Sequence, residues 1–166
     1  MVLGMSLATF TLVHVLISLI GIGSGLVVMY GLLKGKPLNG IAAIFLISTV
    51  LTSVTGFFFP VQHLLPSHKV GILSLIILTV TLAARYLFRM AGAWRRLYVI
   101  GASVALYLNI FVLVVQLFEK VPALKALAPT QKEPPFLVAQ VFVLLLFAVL
   151  TIFATIRFHP ERTRTA

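Results

Sequence analysis

Long apolar runs and short polar breaks alternate along the chain. The runs extend from Leu7 to Leu33, Gly40 to Phe59, Val70 to Phe88, Leu97 to Phe118 and Phe136 to Ile156. Each matches the roughly 20 apolar residues with which a helix crosses a hydrocarbon core of about 30 Å. Arg85 is the one charged residue inside them. Barrel strands would alternate apolar and polar positions at period two, and these runs do not. The pattern predicts an all-α bundle of five transmembrane helices forming a single domain over residues 1–166. The first run follows no basic segment and is longer than the apolar part of a signal peptide, so it is expected to be a retained helix.

Composition sharpens this picture. Mean hydropathy is +1.16, and 10% of residues are charged, against about 25% in a water-soluble domain. A soluble fold is excluded. The net charge of +10 comes from 13 Lys and Arg against Glu119, Glu133 and Glu161. These basic residues sit between apolar runs, so nucleic acid is not an expected partner. Without cysteine there can be no disulfide, thiolate metal site or cysteine nucleophile.

Charge also orients the chain. Nine basic residues fall in the first and third connections and the C-terminal tail: Lys34, Lys36, Arg85, Arg89, Arg95, Arg96, Arg157, Arg162 and Arg164. The remaining four are Lys69, Lys120, Lys125 and Lys132. Short basic loops stay in the cytoplasm. The expected topology therefore has the N-terminus outside and the C-terminus cytoplasmic, with residues 119–135 as an outer loop. Within that loop VPALKALAP predicts a short surface helix. Arg85, close to Arg89, is expected to snorkel to lipid phosphates, so Arg85→Lys should be mild.

Steps of three and four residues mark faces directed at the bundle interior. His14, Ser18, Gly21 and Gly25 share one face of the first helix, and Gly21 and Gly25 form a GxxxG suited to close helix approach or to other membrane subunits. Ser48, Thr52 and Thr55 share a face of the second, beside Thr49, Ser53 and Gly56. Hydroxyls of this kind commonly bond back to their own helix. The third helix aligns Gly71, Ser74, Thr81 and Arg85. Ala102, Ala105, Asn109, Gln116 and Glu119 align on the fourth, and Gln140 leads a face of the fifth.

By depth, His14, Asn109, Gln116 and Gln140 gather toward the outer half. With Ser18, Tyr107 and a wall of Phe57, Phe58, Phe59, Phe111, Phe118 and Phe136, they suggest a pocket open to the outer side. A quinone-like or lipid-like molecule would suit such a pocket. Haem b, or a metal held by His14, His63 and His68, is the redox alternative. A hydrogen-bond network without a ligand, in a structural or assembly subunit, is the third reading. No nucleophile and activating base stand together, so the pattern leans away from an enzyme.

The stretches HVLISLIGIGSGL, LTSVTGFFFP, ALYLNIFVLVVQ and ALAPTQKEPP resemble those of small, uncharacterised bacterial multipass inner-membrane proteins. The resemblance implies the bacterial inner (cytoplasmic) membrane and contact with its lipids, and it carries over no functional residue. The b561-type cytochromes differ in having several intramembrane histidines on facing helices, where this chain offers His14.

Overall fold

The computed structural model describes residues 2–60 and 66–159. Its helices are α1 (Leu7–Leu33), α2 (Asn39–Thr55), α3 (Pro66–Leu82), α4 (Ala93–Lys120), the short α5 (Pro122–Leu127) and α6 (Pro134–Arg157). A 3₁₀ turn, Gly56–Phe58, extends α2, and a π-helical turn, Ala83–Leu87, extends α3. Five of these segments are long and apolar enough to cross a membrane. No named strand occurs among the described residues.

Helix ends follow local chemistry. Ser6 caps α1 by accepting the Thr9 N–H at 3.1 Å, supplying one of the partners a helix start lacks. At the other end the Lys36 N–H reaches the Gly31 carbonyl and the Gly35 N–H reaches Leu32, at 2.8 and 3.2 Å. Gly35 adopts φ +71°, so this is a Schellman stop, which glycine makes without a Cβ penalty. Pro122 opens α5 and Pro134 opens α6, where a missing N–H has no intrahelical partner to lose. α4 starts earlier than its apolar run, taking in Arg95 and Arg96. Long charged side chains are good helix formers and can extend away from the apolar layer.

The predicted surface helix of the long loop is present as α5, and the same loop is closed by Glu133. Its carboxylate accepts the Thr130 N–H at 3.2 Å, the Thr130 hydroxyl at 2.8 Å and the Lys132 N–H at 3.0 Å. Slight desolvation acts upward on this carboxyl, but these hydrogen bonds outweigh it and hold it below the ordinary carboxylate value.

α4 is the axis of the bundle. It touches α1, α2, α3 and α6 and is the most buried of the five spans, while α6 is the least. Small residues allow this: Gly101, Ala102, Ser103 and Ala105 are all buried. Lipid is as apolar as the side chains, so association rests on close van der Waals packing, which small residues permit. The α1 glycines serve the same end inside the chain. A Cβ on Gly25 would stand 2.6 Å from Leu106 Cδ1 and 2.8 Å from Phe45 Cε2, and one on Gly21 would stand 3.2 Å from Ser48 Oγ. The GxxxG is therefore occupied by α2 and α4 and does not face outward toward another subunit.

The tightest approach is between α3 and α4. A Cβ at Gly101 would overlap Thr81 Oγ1, and Thr81 is fully buried. Gly101→Ala should lower stability by about 1–3 kcal/mol, the usual cost of overpacking. Thr81→Ala in the same chain should return most of the loss. Equilibrium unfolding in detergent micelles measures both; an unaffected Gly101→Ala protein would refute this contact.

Candidate functional site

Polar side chains inside the spans converge on α2. Its run of Ser48, Thr49, Thr52, Ser53 and Thr55 places hydroxyls on adjoining faces over two turns. As expected of membrane-embedded hydroxyls, they bond back to their own helix: Ser48 to Ile44, Thr49 to Phe45, Ser53 to Thr49 and Thr55 to Leu51, at 2.6 to 2.9 Å. They also reach other helices. Thr55 pairs with His14 of α1 at 2.8 Å, Thr49 with Asn109 of α4 at 3.1 Å, and Ser53 with Ser74 of α3 at 3.1 Å.

These bonds fix proton positions. The Thr55 hydroxyl is donated to Leu51, so toward the ring it accepts, and His14 Nδ1 carries the hydrogen. Likewise Thr49 donates to Phe45 and accepts from Asn109 Nδ2. His14 also packs edge-on against Phe59, with ring centroids 5.1 Å apart.

The sequence-predicted residues divide into separate groups. Ser18 donates to the His14 carbonyl at 2.8 Å, a bond within α1. The six-residue step from Thr49 to Thr55 separates the Asn109 and His14 bonds by about 9 Å along α2. Gln140 donates to the Phe111 carbonyl of α4 at 3.3 Å. Tyr107 packs against Phe111 and Phe147, at centroid distances of 6.2 and 5.9 Å. Gln116, expected to face the interior, is exposed. It lies seven residues beyond Asn109 on α4, about two turns nearer the end of the helix. His68 is buried and its ring lies 5.6 Å from that of Phe57. His63 lies outside the described residues. No group of three or more metal-ligating side chains occurs among the described residues.

The aromatics do not form one wall. Phe10, His14 and Phe59 make one group, Tyr107, Phe111 and Phe147 a second, and Phe118 with Phe136 a third. A shallow apolar depression lies on α1, lined by Leu7, Ala8, Thr11, Leu12 and Val15, away from these polar groups. Two buried atoms of the central band, Thr52 Oγ1 and Gln140 Oε1, have no hydrogen-bond partner among the described residues.

Arg85 corrects the sequence expectation. It does not snorkel: the residue is 7% exposed. It continues the buried face of Ser74 and Thr81, and Nη2 donates to Asn39 Oδ1 of α2 at 2.8 Å. Its guanidinium lies 5.0 Å from the centre of the buried Tyr98 ring, within cation–π range. Lysine has neither the planar fork nor the reach to replace both contacts. Asn39 gave no sequence signal beyond being the polar residue at the head of an apolar run.

No family model matches the chain, and neither does any curated protein or solved structure.

The Asn109–Thr49 bond can be isolated by a double-mutant cycle. Asn109→Leu and Thr49→Val should show a coupling of about 0.5–1.5 kcal/mol, in the range of interhelical bonds in membranes. Unfolding in lipid bicelles measures it, and zero coupling would mean the bond contributes nothing to the fold.

Proposed function

We propose that the chain is a structural or assembly subunit of a bacterial inner-membrane complex, its N-terminus outside and its C-terminus cytoplasmic. The observation that carries this reading is the pairing of its intramembrane polar groups. His14, Asn109 and Gln140 each spend a hydrogen bond on a neighbouring helix, which is how a network that holds helices together is built. The outward surface is apolar, and α6 offers the largest share of it. Val138, Phe142, Leu145, Val149, Ile152 and Ile156 form its most exposed line, spaced four and three residues apart as in a helix-packing seam. Nine of 13 basic residues on one side of the spans support the orientation.

A second reading, a quinone-like or lipid-like ligand in the polar band, is favoured by Thr52 Oγ1 and Gln140 Oε1. Both are buried and unpaired, and such atoms call for a partner.

Three measurements separate the readings. A photo-crosslinker at Leu145 should give discrete protein adducts in native membranes, whereas lipid adducts alone would overturn the subunit reading. Protein purified from those membranes should show no Soret band and yield no equimolar quinone on solvent extraction. Quinone would establish the ligand reading instead, and a Soret band the haem alternative.

Reporter fusions in the Glu119–Pro135 loop should be active outside the cytoplasm. A cytoplasmic signal from that loop would reverse the orientation.

A further inference from the structure

Among the described residues, the basic end of the bundle holds a cation without a counterion. Arg85 is buried, its Nη2 bonds Asn39, and its Nη1 has no partner among the described residues. The chain contains no Asp. Its glutamates Glu119 and Glu133 belong to the loop at the opposite end of the spans, and Glu161 lies in the tail beyond the described residues. Burying a guanidinium is costly unless it is paired; the rings of Tyr86 and Tyr98 lie 5.6 and 5.0 Å from it, and Nη1 still has a hydrogen to donate.

The guanidinium meets a second group of donors. Its Nη2 stands at Asn39, the first residue of α2. Leu38, which precedes it, has φ 31° and supplies no side-chain cap. The first N–H groups of α2 therefore have no side-chain acceptor, and the helix dipole adds partial positive charge at the same point. Asn39 and Gly40 are exposed, so this end opens to the surface while Arg85 backs it from within. The local backbone is built for it. The Phe88 N–H bonds the Ala83 carbonyl and the Met90 N–H bonds Ala84, at 2.9 and 2.8 Å. Arg85 lies within this widened turn; π-turns of this kind recur at functional sites.

We propose that Arg85, Asn39 and the first turn of α2 form a binding site for a phosphate oxyanion, free or carried on a lipid headgroup. A guanidinium fork and helix N–H groups are the two donor types that recognise phosphate. The anion takes the place of Asn39 Oδ1 on the guanidinium, bridging Nη2 and Nη1 as a bidentate acceptor. Lys34 and Lys36, exposed in the adjoining connection, raise the local concentration of anions and do not form the site.

Thermal unfolding of the full chain in neutral detergent tests this, with a short-chain phosphatidylglycerol, the matching diacylglycerol and inorganic phosphate as probes. The tail is retained, so Glu161 competes in the assay. Phosphatidylglycerol should raise the melting temperature saturably and diacylglycerol should not. A matching, competing response to inorganic phosphate identifies a free-phosphate site; a response to phosphatidylglycerol alone identifies a headgroup site.

Asn39→Asp places a carboxylate on Arg85. It should leave the unliganded protein as stable or more so, and weaken the apparent affinity by about tenfold or more, the worth of a charge-assisted bond. Lys34→Gln and Lys36→Gln should each change it by less than about threefold, as exposed charges do. Three results would overturn the proposal: no response to either phosphate probe, an undiminished response in Asn39→Asp, or an equal loss in the lysine variants, which would mark a diffuse basic surface.

Discussion

In hydrocarbon no water is present to satisfy a stray polar group, and the fold is arranged around that constraint. α2 carries most of the burden. Its threonines and serines first close their own hydrogens onto carbonyls four residues back, which leaves oxygen lone pairs free to accept. His14 and Asn109 then supply donors from helices on two sides. The Thr49 and Thr55 hydroxyls are thus used twice, once for their own helix and once for a neighbour. The result is a set of directional links among helices whose apolar faces would otherwise slide past one another.

Close packing at α4 is the complementary requirement. Hydrogen bonds of about 3 Å between side chains on adjacent helices need the backbones near one another. Gly21 lies beside Ser48, Thr49 and Asn109, so the same small residue that admits α2 also brings the Thr49 and Asn109 side chains together. Removing either kind of contact weakens the other.

The five spans were legible because apolar length alone specifies them. The interior faces of α3 and of the first part of α4 were legible for the same reason: Ser74, Thr81, Ala102 and Ala105 recur at helical spacing and are buried. What periodicity could not provide was the height at which each helix ends. Gln116 shares a face with Asn109 and is nevertheless exposed, about two turns further along α4 than the Asn109–Thr49 contact. Nor could it foresee the π-helical turn, since one extra residue per turn leaves no compositional trace. Arg85 itself follows the buried Ser74 and Thr81 at helical spacing; what the spacing left open was its partner, Asn39 of α2. The shared pocket expected from residue types was likewise a matter of pairing, which spacing along one helix does not encode.

Arg95 has a consequence for how the bundle is made. Its guanidinium donates to the Thr155 and Phe158 carbonyls at the end of α6, groups that no intrahelical partner satisfies. α6 is also the least buried span. During synthesis Arg95 leaves the ribosome some 60 residues before its acceptors. α1 to α4 can assemble through the links of α2 while this clasp stands open. Closure of the last helix is then set by completion of the chain, and truncation before Thr155 would leave α6 inserted without its clasp to α4.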